Sequence, residues 1–316
     1  MSPYFFKDGI LRLAETLTGK ENVYLGLRPY GFHAGNLSTL IIYPSLLCYE
    51  LKRKNKEPKF NFYFFINDWE QDALSGPDPK RYPFNIYPKE TTFQYTKDPD
   101  SCHKNIVDHW EPIIKRDIFR IKSLYPRTRI NIVRNSSLKT RPVCKRILLD
   151  TMKYPNEIIE ILRRYSQKNT LVTPISFAKA VCPRCYSARG DTSIVKEDFV
   201  FLKCNSCSFS STEKYEVYDY WFYHKLLALP RIEIFKINLC ITGLEHYNEG
   251  DYSIRNALIK RFSPEIQNPL TLYTPLILGN DGQPMGKSKG NCRYIDFDVM
   301  FQIIKNSNNK ERITIE

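Results

Sequence analysis

The sequence predicts an α/β fold in which a largely parallel sheet is interrupted by a small cysteine-bounded module. Three observations predict it. A strand, a loop, a helix and a second strand succeed one another within the first 66 residues. The same strand-then-turn grammar returns at Ile237, and two C-x2-C pairs stand between the two halves. With 316 residues, 42% hydrophobic and 14% aromatic, the chain can bury one large core and still carry an insertion, a composition that argues against a disordered chain.

The elements follow in order. Asn22 to Leu27 (NVYLGL) alternates as a strand does, and the turn-rich stretch Arg28 to Asn36 leads into an apolar helical run through Lys54. Pro44 lacks an N–H, so a kink or a late helix start is expected there. Phe60 to Ile66 is a strand too apolar for a sheet edge. A strand, helix and strand so connected argue for parallel pairing, with ligands at the carboxyl ends. Ser75 to Asp100 shows no period and is expected to be a long, functional loop. Helical stretches at Ile106 to Tyr125 and Lys145 to Tyr165 flank a strand at Arg129 to Arg134. Ile237 to Thr242 is again a strand, turning at Gly243 to His246 before a helix at Ser253 to Phe262. A strand at Leu270 to Leu278, a loop at Gly279 to Asn291 and a short helix at Phe297 to Lys305 complete the chain. The expected division is 1–110 for the first half of the sheet domain, 111–215 for a basic connective insertion, and 216–316 for the second half.

No run of about 18 uncharged apolar residues is present, and the N-terminus lacks a secretory pattern, so a soluble, cytoplasmic protein without a membrane partner is expected. Nine cysteines are too sparse for a disulfide scaffold in a chain of this length. Formal charge is +13, and between Lys115 and Lys168 fifteen Lys or Arg face four Asp or Glu. Such a segment either docks phosphates or meets acidic partners from elsewhere in the fold.

Two motifs carry chemistry suited to a nucleotide. His33-Ala34-Gly35-Asn36 stands where the first strand hands over to its helix, where backbone N–H groups and the helix dipole favour a phosphate chain. Gly35 permits close approach, and His33 and Asn36 can donate to a triphosphate as charge builds on the departing pyrophosphate. Pro284-Met285-Gly286-Lys287-Ser288-Lys289-Gly290-Asn291 is a glycine-flanked loop whose lysines suit phosphate oxygens as point charges. Either motif alone reads more readily as an ordinary surface loop.

Together they resemble the paired signatures of class I aminoacyl-tRNA synthetases, in the same order and at a comparable span. Arg28 to Asn36 resembles the Pro-Ser-Gly-x-x-His-x-Gly-Asn stretch of class I lysyl-tRNA synthetases. Asn67-Asp68-Trp69-Glu70 falls at that family's Asp-Asp-x-Asp run, and Gly243-Leu244-Glu245-His246 resembles its Gly-Lys-Asp-His stretch. The resemblance spans residues 5 to 295 and implies a Rossmann-like nucleotidyl-transferase sheet. It implies a ligase that condenses an amino acid with ATP, accompanied by Mg²⁺, to an aminoacyl-adenylate. It makes His33, Gly35 and Asn36 phosphate contacts, Lys287 the transition-state lysine with Ser288 beside it, and Gly243 and His246 part of the adenosine site. Asp68 would lie near the amino-acid pocket. The sequence departs from the pattern at Tyr30, Arg28 and Pro284. Arg28 either clamps a substrate carboxylate, pairs with Asp68 or faces solvent.

Cys182-x2-Cys185 and Cys204-x2-Cys207, eighteen residues apart, have the spacing of a tetrahedral structural Zn²⁺ in a ribbon at 182–207. Four thiolates leave no open position for water, so the site is expected to be structural. Cys48, Cys102, Cys144, Cys240 and Cys292 are expected to be buried or idle thiols. The resemblance implies that the insertion faces a tRNA acceptor stem, gripped by the basic segment at 115–168. Only 25 residues follow Asn291, so it also implies a stand-alone catalytic domain without the family's anticodon-reading domain. The acyl group would then pass to tRNA, or to a small molecule, peptide or carrier. A third reading keeps the fold as a catalytically inactive nucleic-acid-binding module.

Overall fold

The computed structural model describes residues 2–29, 32–70, 91–98, 100–166, 177–285, 291, 293–307 and 309–315. The chain opens with β1 (Tyr4–Phe5), α1 (Phe6–Thr16) and β2 (Asn22–Leu27). A helical run follows in three parts: α2 (Ala34–Leu37), a π-helical turn (Ser38–Ile42) and α3 (Tyr43–Arg53). Pro44 occupies the first turn of α3, where its missing N–H costs nothing, and the wider π turn before it absorbs the break. β3 (Asn61–Ile66), α4 (Ile106–Leu124) and β4 (Arg129–Arg134) come next.

The helix expected at Lys145 to Tyr165 is two helices, α5 (Pro142–Lys153) and α6 (Pro155–Tyr165). Pro155 cannot donate into a preceding turn, so the chain restarts there. The insertion supplies β5 (Ala178–Val181), β6 (Gly190–Lys196), β7 (Phe199–Cys204), β8 (Ser210–Lys214) and β9 (Asp219–Phe222). α7 (His224–Phe235), β10 (Leu239–Gly243), α8 (Leu244–Asn248) and α9 (Asp251–Phe262) return to the sheet. The single strand expected at Leu270 to Leu278 is broken at Pro275 into β11 (Leu270–Thr274) and β12 (Leu276–Leu278). After α10 (Phe297–Asn306), β13 (Arg312–Thr314) pairs with β12 in a separate two-stranded sheet.

The central sheet is parallel throughout, in the order β1-β11-β10-β2-β3-β4, the open doubly wound arrangement expected of a Rossmann-like α/β fold. β4 lies inside the range 111–215, so the first half of the sheet continues past residue 110, to Arg134. Alternation along β2 and β3 divides the core. Val23, Leu25, Phe62 and Phe64 face α1, α3, α4 and α10, whereas Tyr24, Tyr63 and Phe65 face α5, α6, α7 and α9.

The sequence-order reversal falls between β2 and β10. From β2 the chain winds outward to β3 and β4, and from β10 it winds the other way to β11. β2 and β10 pair only at Val23↔Leu239 and Tyr24↔Cys240, yet they run on to Leu27 and Gly243. The strands therefore part toward their carboxyl ends, which opens a crevice at the topological switch point. Among the described residues, no helix is long and apolar enough to cross a membrane.

Candidate functional site at the switch point

The histidine signature and the described flanks of the lysine loop lie against one another beside this crevice. His33 caps α2, and its Nδ1 accepts the N–H of Gly35 at 3.1 Å, which places the imidazole proton on Nε2. A Cβ on Gly35 would sit 3.0 Å from His33 Cε1, so glycine is what lets the ring fold over the helix start. Asn36 is half-buried in the same turn. The Thr39 and Thr274 hydroxyls lie 2.7 Å apart and tie the π turn to the end of β11.

The second signature approaches on a hairpin. Met285 N–H donates to the Ile277 carbonyl at 2.8 Å, and Pro284 bridges Leu278 antiparallel. Asn291 Nδ2 reaches the Asp281 carboxylate at 3.0 Å and closes the base of that hairpin. Beyond it, the Arg293 carbonyl accepts the Ala34 N–H at 2.8 Å. The described flank of the lysine loop is thus bonded directly into the histidine signature. Lys287 and Ser288 themselves lie outside the described residues, as do Tyr30 and Cys292.

On the β10 side, Gly243 ends its strand and the Glu245 carboxylate lies over it, 2.2 Å from where a Cβ would stand. His246 Nδ1 is 2.9 Å from Asp251 Oδ2, and Lys225 pairs with the same carboxylate. Burial opposes the imidazolium, but the Asp251 hydrogen bond and the carboxylates of Glu245, Asp251 and Glu249 outweigh it and push His246 up to about 9. Burial disfavours the Asp251 carboxylate, yet His246 and Lys225 hold it at about 2. His224, at the start of α7, is lowered by burial and feels the charges of Glu70, Asp251 and His246. The β3 and β10 sides of the crevice therefore share one electrostatic environment.

Asp68 and Arg28 do not meet. Asp68 is 1% exposed; its carboxylate accepts the Ser136 N–H at 3.0 Å and the Ser136 hydroxyl, and burial raises it to about 6. It braces the segment after β4 rather than lining the opening. Among the described residues a carboxylate that does reach Arg28 is Glu70, with Arg28 Nε 3.2 Å from Glu70 Oε2. Asp251 and His224 stand in no motif, and Glu70, within the Asn67-Asp68-Trp69-Glu70 run, meets Arg28 from 42 positions away.

Away from the crevice, Cys182, Cys185, Cys204 and Cys207 bring their sulfurs within 4.8 Å of one another, a group able to hold a metal ion. Sγ separations of 3.6 Å (Cys182 to Cys207) and 3.5 Å (Cys185 to Cys204) are far beyond a disulfide and near the ~3.8 Å of thiolates around a tetrahedral ion. A second group was missed in the sequence. Asp98, Cys102, His103 and His109 also converge within 4.8 Å. Cys102 Sγ lies 3.1 Å from Asp98 Oδ2, 3.0 Å from His103 Nδ1 and 3.4 Å from His109 Nδ1. Carboxylate, thiol and imidazole donors at these separations fit a tetrahedral cation such as Zn²⁺. The readable signal was Asp98-x3-Cys102-His103-x5-His109, which lacks the doubled C-x2-C spacing of the ribbon. Cys48, Cys144 and Cys240 are buried, as expected.

The basic segment does not form one surface. α4 packs on one side of the sheet, and α5 and α6 on the other. Lys115, Arg116, Arg127, Arg134, Lys139, Lys145 and Arg146 are each engaged by a carboxylate.

No protein-family model and no curated protein matches the chain. Solved structures do resemble it. A Leishmania major tyrosyl-tRNA synthetase in complex with fisetin superposes with a TM-score of 0.46 at 13% identity, over 92% of this chain and 32% of that one. A protein from Campylobacter jejuni described as an arginyl-tRNA synthetase gives 0.37 at 13% identity, over 96% and 68%. A glutamate tRNA ligase from Elizabethkingia meningosepticum in complex with its amino acid gives 0.37 at 13% identity, over 86% and 52%. The chain thus spans about a third of the tyrosyl enzyme's length and about half of the glutamate ligase's.

Proposed function

We propose that this chain is an adenylate-forming ligase of the class I synthetase type, closest in its motifs to the lysyl enzymes, which activates an amino acid with ATP. The observation that supports this reading is the Ala34 to Arg293 hydrogen bond, which holds the chain just beyond the lysine loop against the histidine signature. In the reaction, a carboxylate oxygen of the amino acid attacks the α-phosphorus and pyrophosphate leaves. His33, donating through Nε2, and Asn36 would hold phosphate oxygens, while Lys287 and Ser288 would offset the charge that develops. Gly243 and His246 would border the adenosine. Mg²⁺ rides on the nucleotide phosphates rather than on a dedicated protein cage. The Cys182, Cys185, Cys204 and Cys207 group, and the Asp98, Cys102, His103 and His109 group, would each hold one structural Zn²⁺.

The acceptor is tRNA or another nucleophile. The division of the basic segment between two sides of the sheet favours an amine on a small molecule, peptide or carrier over a long grip on a tRNA stem. ATP and pyrophosphate exchange, screened over all amino acids with and without total tRNA and with Lys287→Ala as the blank, tests the reading. Exchange abolished by Lys287→Ala supports adenylation; exchange absent under every condition rejects it in favour of an inactive binding module. Exchange without any tRNA charging selects the small acceptor.

A further inference from the structure

The cysteine ribbon and the Asp98 group are bridged by a short stretch of chain, residues 91–98. Tyr186 directly follows the ribbon cysteine Cys185, and its ring lies stacked 4.6 Å from that of Tyr95. Beside the stack, the Thr91 hydroxyl donates to the Tyr186 carbonyl at 2.7 Å. Tyr95 is also held from a second direction, because its hydroxyl donates to Asp219 Oδ2. In the β5–β9 ladder Asp219 stands opposite Val181, the residue before Cys182, and Lys139 Nζ donates to the other Asp219 oxygen at 2.8 Å. Tyr95 thus meets the ribbon on both sides of its first cysteine pair. Tyr186 itself has a φ of 59°, a left-handed backbone that a bulky residue adopts at a cost. The cysteine turn keeps it there: the Tyr186 N–H donates to the Cys182 carbonyl, and the Cys182 N–H to the Ser187 carbonyl, each at 2.8 Å. An ion that gathers the four sulfurs closes that turn, and without it nothing but these bonds opposes relaxation of the strained tyrosine.

The other end of the stretch carries a donor of the second group. The Thr96 carbonyl accepts the Ile106 N–H at 2.9 Å, at the start of α4, and the buried Asp98 follows two residues later. Its carboxylate lies 3.1 Å from Cys102 Sγ and 3.1 Å from His109 Nδ1, and it accepts the His103 N–H at 2.7 Å. Between the two ends, the Phe93 and Gln94 N–H groups donate to the Glu70 and Asp68 carbonyls, each at 3.1 Å, which pins the stretch to the chain after β3. Tyr95 and Asp98 are three residues apart, a reach of about 10 Å even when fully extended. A shift of the Tyr95 ring therefore has little slack to absorb it before it arrives at Asp98.

We infer that Tyr186 and Tyr95 couple the two metal groups: an ion in the ribbon holds Tyr186 on Tyr95 and so presets Asp98, and each group binds its ion more tightly when the other is filled. The inference rests on the reading that each group holds one ion. Tyr95 and Tyr186 are positioning residues, since neither donates to an ion itself. Linkage makes the effect reciprocal, so filling the Asp98 group steadies the ribbon in turn.

The experiment is competition of a chelator for Co²⁺ bound to the full chain, because Co²⁺ stands in for Zn²⁺ and its absorption distinguishes four thiolates from a thiolate with imidazoles and a carboxylate. The proteins compared are the wild type, Cys182→Ser, Tyr186→Gly and the double variant. Glycine suits the left-handed backbone at 186, so Tyr186→Gly removes the ring without straining the cysteine turn. Cys182→Ser should weaken Co²⁺ at the Asp98 group by about fivefold or more. Tyr186→Gly should weaken it to a similar extent while the four-thiolate spectrum of the ribbon persists, and the double variant should be no weaker than either. Tyr186→Phe, which keeps the stacked ring, should bind as the wild type does. If circular dichroism shows that Cys182→Ser unfolds more than the ribbon, the contrast between Tyr186→Gly and Tyr186→Phe carries the test. Equal affinity of the Asp98 group in the wild type and Tyr186→Gly, or additive losses in the double variant, overturns the coupling while leaving both ions in place. A wild type that binds Co²⁺ at only one group overturns the two-ion reading, and the inference with it.

Discussion

Ala34 and Arg293 are joined by a 2.8 Å main-chain hydrogen bond although 259 positions separate them, and the bond places the start of the helical run after β2 against the chain just beyond the lysine loop. Because the contact is between backbones, substitution of His33 or Lys287 should leave it intact. His33→Ala and Lys287→Ala should each lower kcat for pyrophosphate exchange by about 10²-fold or more, with the melting temperature unchanged in Lys287→Ala and lowered in His33→Ala only by the few degrees that the loss of a helix cap costs. Loss of folding alongside loss of activity would instead mark these positions as structural.

The metal groups make separable predictions. Purified protein should contain two equivalents of zinc by elemental analysis. Cys182→Ser should lose one equivalent and unfold the ribbon around β6, β7 and β8, whereas His109→Ala should lose the other and leave the ribbon folded. A single equivalent retained by His109→Ala and by the wild type alike would remove the second site.

His246 and Asp251 predict a pH window. His246 is raised to about 9 and Asp251 lowered to about 2, so the charged pair is present across the neutral range. The raised histidine contributes stability that is full below its ordinary value of 6.5 and is lost as pH climbs through about 9. The lowered aspartate contributes above 3.8 and is lost as pH falls through about 2. In an NMR titration His246 should turn near pH 9, and in Asp251→Asn it should turn below that by more than one unit. An unchanged titration in the variant would sever the link.

Asp68 has the opposite sign. Its carboxyl is raised from 3.8 to about 6 by burial, so the folded state holds a proton that the unfolded state has released. Stability contributed by this group should decline as pH rises through about 6, and Asp68→Asn should flatten that slope. Denaturant midpoints measured from pH 4 to pH 8 would show it, and identical slopes in the two proteins would contradict it.

Much of the sheet was legible because β2, β3, β4 and β10 are apolar or alternating runs bounded by turn residues. α7 was not, since its residues are apolar on all sides and Pro230 interrupts it, a pattern that only burial between α5, α9 and the sheet explains. The breaks at Pro155 and Pro275 were hidden because apolar periodicity continues across each. Within the site, contiguous motifs could be read directly. Pairings such as Arg28 with Glu70, His109 with Asp98 and His246 with Asp251 exist only once the loops have been brought together.

The parting of β2 from β10 has a consequence for how selectivity can change. Two segments diverging from a shared ladder leave a gap in the backbone bonding whatever side chains happen to border it. Room for a guest is then a property of chain path, while its identity is decided by a handful of exchangeable residues at the rim. Repurposing such a scaffold requires no new hollow, only a different set of charges around the one that topology supplies.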